Sequence, residues 1–339
     1  MEENVSKVQF IAEVSANHLG SFERAKLIVS AAAKAGATAI KFQTFTADTM
    51  TIDLEDFKVS ANHELWGGRT LFNLYQEAHT PWEWHPDLFK ICRELGVIPF
   101  SSPFDVTAVD FLESLEAPMY KIASLETGDI QLIRKVAETG KPLIISTGAT
   151  EWSEIEELVA EVEKSGNKNL TLLVCTSSYP ADPIDAHLNR MSTLRSHFGV
   201  KVGVSDHTLG LGVSIAAIAL GATVIEKHFT LRRSDGGTDS AFSMEPEEFA
   251  MLVREGTYAF QALGQPEWNM QESERESRRL RRSLYVVKDV KAGEPVSQQN
   301  VRSIRPGGGC PPKLLDSLIG KVFLKNESAG TPMNENLVN

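Results

Sequence analysis

Short apolar runs alternate with longer amphipathic stretches from Val8 to Leu263. Val8–Ala12, Ala39–Phe42, Ile98–Ser101, Met119–Ile122, Leu143–Ser146, Thr171–Cys175, Val202–Ser205 and Val224–Lys227 read as strands. They are continuously apolar rather than alternating, which predicts parallel strands buried on both faces. Between them, Ser21–Ala35, Pro86–Leu95, Val106–Leu115, Asp129–Glu138, Ser153–Lys164, Leu211–Leu220 and Glu245–Leu263 carry helical patterns. Gly36, Gly96, Gly140, Gly166 and Gly221 stand at or near helix ends, where a left-handed residue closes the last turn. Repeated β-then-α units specify either a closed (β/α)8 TIM barrel or an open doubly wound sheet. No GxGxxG follows the first strand, and polar residues gather after many strands, as a barrel active site requires. The α/β reading is therefore the TIM barrel, over residues 1–264. The stretch Thr46–Thr80 is too long for a simple connection and predicts a functional loop.

The pattern changes after Gly264. Residues 265–282 are polar, with Arg275, Arg278, Arg279, Arg281 and Arg282, and read as a solvated linker or helix. Residues 283–339 read as a small β-rich module. Ser283–Lys288 is its strand, Val290–Gly293 a turn and Ile304–Gly309 a tight loop. A module this small is expected to dock on the barrel.

The net charge of -11 argues against nucleic acid or an anionic membrane as the main partner. It does not exclude an anionic small molecule, which a local lysine cluster can hold. Cys92, Cys175 and Cys310 are far apart, so neither a disulfide framework nor a thiolate zinc site is indicated. The absence of a signal-like start and of an apolar run near ~20 residues predicts a cytoplasmic protein.

The chemistry-bearing side chains stand at strand ends: Glu13, Lys41 with Gln43, Ser102, Lys121 with Ser124 and Glu126, Ser146, Ser177 with Tyr179, Ser205 with His207, and Glu226 with His228. Lys41 and Lys121, with hydroxyls nearby, suit a phosphate. The plainer alternative is that the lysines form buried ion pairs with acids such as Glu13. His207 and His228, on adjacent strands, could hold a divalent metal with open positions. Asp206 either supports His207 or caps the following helix.

Ala12-Glu13, Asn17-His18, Lys41-Phe42-Gln43-Thr44, Ser102-Pro103-Phe104, Tyr120-Lys121-Ile122-Ala123-Ser124, Ser146-Thr147-Gly148, Cys175–Pro180, Ser205-Asp206-His207-Thr208 and Glu226-Lys227-His228-Phe229 together carry a resemblance. The barrel resembles the sialic acid synthase family, and residues 283–339 resemble its antifreeze-protein-like (SAF, β-clip) domain. The resemblance implies condensation of phosphoenolpyruvate with the open-chain aldehyde of an N-acylated amino sugar. It implies a divalent metal on His207 and His228, Mn²⁺ foremost, with Mg²⁺ or Co²⁺ as alternatives. Lys41, Ser102, Lys121, Ser124, Ser177 and Ser205 would hold phosphoenolpyruvate, and Glu126 would face its enol carbon. Glu13, Gln43, Tyr179 and Asp239 would face the sugar. Arg305 would reach a second subunit's site, implying a domain-swapped homodimer.

The segment Leu65–His85 and the run Arg282-Ser283-Leu284-Tyr285 resemble the pseudaminate branch of the family. A phenylalanine of the neuraminate branch has no counterpart near Arg281-Arg282-Ser283. The expected acceptor is thus 2,4-diacetamido-2,4,6-trideoxy-altrose. N-acetylmannosamine and the legionaminate precursor are the alternatives. A barrel making a keto-deoxy sugar phosphate would lack the C-terminal module. A non-catalytic carbohydrate-binding protein would not need the lysines and histidines together.

Overall fold

A computed structural model describes residues 8–61 and 65–339. Positions 62–64 of the expected functional loop lie outside the described residues. The chain divides into two compact units, Met1–Gly264 and Gln265–Asn339.

In the first unit eight parallel strands close in sequence order: β1 Gln9–Glu13, β2 Ala39–Thr44, β3 Ile98–Pro103, β4 Tyr120–Ile122, β5 Leu143–Ser146, β6 Leu170–Cys175, β7 Lys201–Ser205 and β8 Val224–His228. Closure comes from β1 pairing with β8, Glu13 lying opposite His228. This is the TIM barrel read from the apolar runs.

Because side chains alternate along a strand, the barrel interior is layered. Ile11, Ala39, Phe100, Met119, Ile144, Leu173 and Val224 form one apolar interior cluster. Two residues further along the same strands stand Glu13, Lys41, Ser102, Lys121, Ser146, Cys175 and Glu226. An apolar floor thus supports a polar layer at the strands' C-terminal ends. Gly203 completes the floor where β7 meets β8, since a Cβ there would lie 2.2 Å from the Val224 carbonyl oxygen. The intervening strand residues, such as Phe10, Ile40, Phe42, Ile122 and Ile145, face outward into the larger core shared with the helices.

Those helices are α1 Phe22–Lys34, α2 Ala47–Met50, α3 Leu71–Ala78, α4 His85–Glu94, α5 Val106–Ser114, α6 Ile130–Ala137, α7 Trp152–Lys164, α8 Arg190–Phe198, α9 Gly212–Ala219 and α10 Pro246–Ala262. Ser21, Asp105 and Asp129 cap α1, α5 and α6 by accepting from first-turn N–H groups. The sequence pattern missed α8, which buries only Met191 and Leu194 and so has almost no apolar stripe. The long connection between β2 and α4 is partly regular, holding α2 and α3.

The end of this connection is clamped by a buried polar cluster. Thr80 Oγ1 lies 3.3 Å from His18 Nε2. His85 Nε2 lies 2.9 Å from Thr44 Oγ1, which in turn is 2.6 Å from Ser101 Oγ. The loop root is therefore tied to residues following or within β1, β2 and β3.

In the second unit, α11 Arg275–Arg279 precedes β9 Ser283–Val286, which pairs antiparallel with β10 Val301–Ile304. Leu284, Val286, Val296, Val301, Phe323 and Met333 belong to its own apolar core. The predicted strand from Ser283 stops at Val286, and its partner β10 was not read from the sequence. Among the described residues no helix is long and apolar enough to cross a membrane.

Burial pushes His18 and His85 down to about 4 from the ordinary imidazole value. The folded state thus favours the neutral ring. That stability is present above the unfolded value near 6.5 and is lost as pH falls toward about 4. His85→Gln removes one such titration and leaves all other groups in place. Between pH 7 and pH 5 the wild type should lose about 2 kcal/mol more stability than this variant. Urea unfolding at both pH values checks this, and parallel losses would refute it.

Candidate active site

The polar layer opens into a cavity of ≈ 450 Å³ at the C-terminal ends of the strands. Its base is a chain of buried charges. Lys41 Nζ contacts Glu13 Oε2 directly and lies 3.9 Å from Glu226 Oε2. Lys121 Nζ is 3.4 Å from Glu226 Oε1. Neutral groups fill several of the remaining positions, leaving Glu226 Oε2 without a hydrogen-bond partner. Lys41 Nζ donates to Ser102 Oγ at 3.2 Å, Ser205 Oγ donates to Glu226 Oε1 at 2.9 Å, and Gln43 Nε2 donates to Glu13 Oε1 at 3.0 Å. The ion pair suggested as the plainer reading of Lys41 therefore exists. It positions the ammonium at the cavity edge, because Lys41 and Lys121 both line the cavity.

The acids respond differently to burial. Glu13 is pushed up to about 7 by burial, with Lys41 pulling it back and Glu226 adding to the rise. For Glu226 burial also pushes upward, but Lys121, Lys41 and the Ser205 hydroxyl outweigh it and hold the carboxyl below its usual range. Burial lowers Lys121, against the pull of Glu226. Glu126, from the turn after β4, is pushed up to about 7 by burial, partly opposed by Lys121.

Beside Lys121, hydroxyl groups converge on a glycine. The Gly148 N–H donates to Ser124 Oγ at 3.1 Å. A Cβ at Gly148 would sit 2.4 Å from Ser177 Oγ and 2.8 Å from Ser124 Oγ. The Ser146 and Ser177 hydroxyls are buried without a hydrogen-bond partner. Buried donors left unpaired are costly unless a ligand completes them, and hydroxyls beside an ammonium suit an oxyanion.

On the other side of the base, the His207 and His228 rings lie 5.3 Å apart. His207 Nδ1 is 2.9 Å from the Thr176 carbonyl oxygen, which can only accept. Nδ1 then carries a proton, and Nε2 is the nitrogen left to offer a lone pair when the ring is neutral. His228 Nδ1 is buried without a partner. Burial drives His228 well below its ordinary value, and His207, Lys41 and Lys121 push it the same way. The two rings therefore differ. Burial keeps His228 neutral with its Nδ1 uncommitted. Burial also pushes His207 down, but Cys175, the Thr176 carbonyl and Glu226 outweigh it and hold His207 above its ordinary value, so a divalent metal there would take the place of a proton on Nε2. Among the described residues no set of three or more His, Cys, Asp or Glu could hold one, so the protein's share would be the two rings and the remaining positions stay open.

Asp206 does not face the cavity. It accepts from Thr208 and from Ser214 at the start of α9, and pairs with Lys227 at 3.2 Å. It thus fixes the loop that follows His207 and ties it to α9 through the Ser214 side chain; it does not cap that helix, whose N-cap is Leu211. Asp239 accepts from the Ser15 hydroxyl and from the Ala16 N–H at 3.3 Å. The Tyr179 ring packs 4.5 Å from His207 and 5.1 Å from Phe242.

Lys41, Gln43, Lys121, Ser124, Glu126, Tyr179, Ser205, His207, His228 and Asp239 all line this cavity. Glu13 and Ser102 support it through Lys41. Ser177 does not line it; its hydroxyl lies beside Gly148, next to the cavity-lining Ser124. Arg305 belongs to the second unit, where it is exposed. The sequence reading placed Glu226 and Ser146 among the strand-end polar groups without giving either a specific role, and did not single out Gly148 or Cys175 for the site. Strand parity accounts for Glu226, which stands two residues from Val224 and two from His228. The Gly148 clearance depends on β5 and β6 loops meeting, which no local pattern reveals.

Comparison with known proteins decides the relationship. The model of the NeuB family matches residues 28–267, and that of the SAF domain matches residues 281–336. The chain belongs to the NeuB family. The resemblance read from its motifs is therefore correct for both the barrel and the C-terminal module. A pseudaminic acid synthase of Campylobacter jejuni subsp. jejuni serotype O:23/36 (strain 81-176) is 41% identical over 331 residues, covering 97% of this chain and 96% of its own. One from Helicobacter pylori (strain ATCC 700392 / 26695) is 40% identical, with 96% of each chain covered. The crystal structure of an N-acetylneuraminic acid (sialic acid) synthetase from Leptospira borgpetersenii serovar Hardjo-bovis, in complex with citrate, matches with a TM-score of 0.73 and 33% identity. It covers 80% of this chain and 90% of that one.

For this NeuB-family cavity, Gly148→Ala is expected to weaken binding of inorganic phosphate about tenfold or more by crowding two hydroxyls. Calorimetric titration measures it. Unchanged affinity in a folded variant would remove Gly148 from the cradle.

Proposed function

We propose that this protein is a metal-dependent synthase joining phosphoenolpyruvate to 2,4-diacetamido-2,4,6-trideoxy-altrose, giving pseudaminic acid and phosphate. The observation carrying this reading is one cavity that joins a lysine-and-hydroxyl cradle to an imidazole pair. The chain bearing it is 41% identical to a pseudaminic acid synthase over 97% of its length.

In the proposed reaction, C3 of phosphoenolpyruvate bonds to the aldehyde carbon, and the aldehyde oxygen takes a proton. Water then bonds to the oxocarbenium carbon C2 and loses a proton. The C2–O bond to phosphate breaks, releasing inorganic phosphate, so atoms and protons balance. Lys41, Lys121, Ser102, Ser124, Ser177 and Ser205 are assigned to the anionic substrate, as charges and directed donors. Glu126, held near neutrality, is assigned to proton movement beside the enol carbon. Glu13 holds Lys41 and Gln43 in place and reaches the sugar side with Gln43, Tyr179 and Asp239. His207 and His228 would hold a divalent cation, which when bound polarises a carbonyl oxygen. Two nitrogen donors suit Mn²⁺ or Co²⁺ better than Mg²⁺, and Mn²⁺ is our assignment.

Arg305 is exposed and makes no ion pair among the described residues. We assign it to the acetamido group of sugar bound in a second copy's barrel, in a domain-swapped homodimer. The cytoplasm, where phosphoenolpyruvate is made, is the proposed compartment.

Phosphate release from phosphoenolpyruvate, assayed separately with the altrose derivative, the legionaminate precursor and N-acetylmannosamine, tests the assignment. The altrose derivative should be turned over fastest, and activity only on N-acetylmannosamine would overturn it. Chelation should abolish turnover and Mn²⁺ restore it; chelator-insensitive turnover would refute the metal role. Subunit exchange has its own readout. Mixing inactive His207→Ala with Arg305→Ala should restore up to about a quarter of wild-type activity, because mixed dimers then carry one intact site. No restoration would count against the swap.

A further inference from the structure

The cavity is chemically two-sided. The strand ends supply its charges and hydroxyls. The opposite side is supplied by the connection between β2 and α4, and there Met50, Val59, Leu71, Leu74 and Ala78 line the space. Of these five side chains only the weakly accepting Met50 thioether has a hydrogen-bonding atom. The same connection also lines the cavity with Trp66, whose Nε1 already donates to Thr238, and with Tyr75, whose hydroxyl is the one strong polar group beside the strip. The strip is also held in place. Val59 N–H donates to the Arg69 carbonyl at 2.9 Å and Leu71 N–H to the Phe57 carbonyl at 2.8 Å, so the two limbs of the loop brace each other. Trp66 Nε1 donates to the Thr238 carbonyl at 3.0 Å, pinning the loop to the segment after β8. Thr70 caps α3 by accepting from the Asn73 N–H.

We propose that this aliphatic strip is the specificity-determining wall of the site. It takes a methyl-terminated end of the acceptor sugar, a 6-deoxy carbon or the methyl of an N-acyl group, and disfavours a hydroxymethyl or polyhydroxyl end. The inference rests on the phosphoenolpyruvate–sugar reading above and adds which residues choose the sugar. A hydroxyl pressed against the strip loses its water and gains no partner, whereas a methyl group loses nothing. A wall of this kind discriminates about 10- to 100-fold, as apolar pockets do against added hydroxyls. The aliphatic side chains of the strip are not directional, so they separate methyl from hydroxyl rather than one ring stereochemistry from another. Altro and manno 6-deoxy sugars should pass it equally, leaving that choice to the polar side.

The test is the ratio of kcat/KM for a 6-deoxy-diacetamido sugar to that for N-acetylmannosamine, in wild type, Val59→Thr and Leu74→Asn. Val59→Thr keeps the shape of the side chain and guards against a folding defect in the more buried Leu74 variant. The wild-type ratio should be at least about tenfold in favour of the deoxy sugar. Each variant should lower it about fivefold or more by offering a partner to a hydroxyl, with the KM for phosphoenolpyruvate within about twofold of wild type. An unchanged ratio in both variants, with that KM preserved, overturns the wall. If the wild type releases no phosphate from phosphoenolpyruvate with any sugar, the reaction reading fails instead. Calorimetric binding of the same two sugars to wild type and Val59→Thr then decides the wall alone, equal affinities for both sugars in the wild type overturning it.

Discussion

Glu13, Lys41, Glu226 and Lys121 place four ionisable groups side by side inside a barrel, each almost wholly buried. Removing such groups from water costs several kcal/mol apiece, repaid only if each finds opposite charge and directed hydrogen bonds. That requirement dictates much of the remaining architecture. The partners must come from different strands, so their relative positions are set by register: Glu13 opposite Lys41 on β1 and β2, Ser205 opposite Glu226 on β7 and β8. A strand slip of one residue would send these side chains into the outer apolar core. The apolar layer of Ile11, Ala39, Phe100 and Val224 beneath them closes the barrel below the charges. The charges are thus tolerated because the barrel is rigid, and the barrel's register is unforgiving because the charges are there.

The same network explains how an anion can enter. Two lysines and two ionised glutamates sum to zero, which offers a phosphate little attraction. Glu13 sits at about 7, so it exchanges a proton near neutral pH. An anion arriving beside Lys41 and Lys121 raises the cost of a further negative charge and favours the protonated Glu13. With Glu13 protonated, the two lysines and Glu226 sum to one net positive charge. Glu226, held low by both lysines, keeps its charge and keeps the ammonium groups aimed. The two acids look equivalent in the sequence, and their different surroundings give them different work.

Much of this was legible in the chain. The strands are short apolar runs whose last residues turn polar, and counting two residues from Ile11, Ala39 or Met119 reaches Glu13, Lys41 or Lys121. What was not legible depends on distant parts meeting. Glu226 joins two lysines from β2 and β4 only because β8 closes against β1. Gly148 matters only because Ser124 and Ser177, from separate strand ends, converge on it. The helix α8 escaped because Met191 and Leu194 suffice to anchor it, and β10 because its pattern Val-Arg-Ser-Ile has little apolar character between Val301 and Ile304. The ion pair on Lys41 does not exclude a phosphate ligand. The pair holds the lysine where a ligand can use it.

An acidic protein that binds an anion needs its long-range field to fail and its local field to prevail. The formal net charge of -11 belongs to the whole chain. Many carboxylates are paired at the surface with lysines or arginines, as in Glu55–Lys58, Asp110–Lys135 and Glu276–Arg279. At physiological salt such exposed charges are screened within ~8 Å, so an approaching phosphate scarcely feels them. Inside the cavity, screening by mobile ions is weak, and the nearest fixed charges are Lys41 and Lys121 with the Glu226 that pairs them. An arginine cluster on the outer surface would attract anions without selecting one. Lysines recessed beneath hydroxyls that lack other partners attract only an anion small enough to reach them, and the acidic exterior costs such a ligand little.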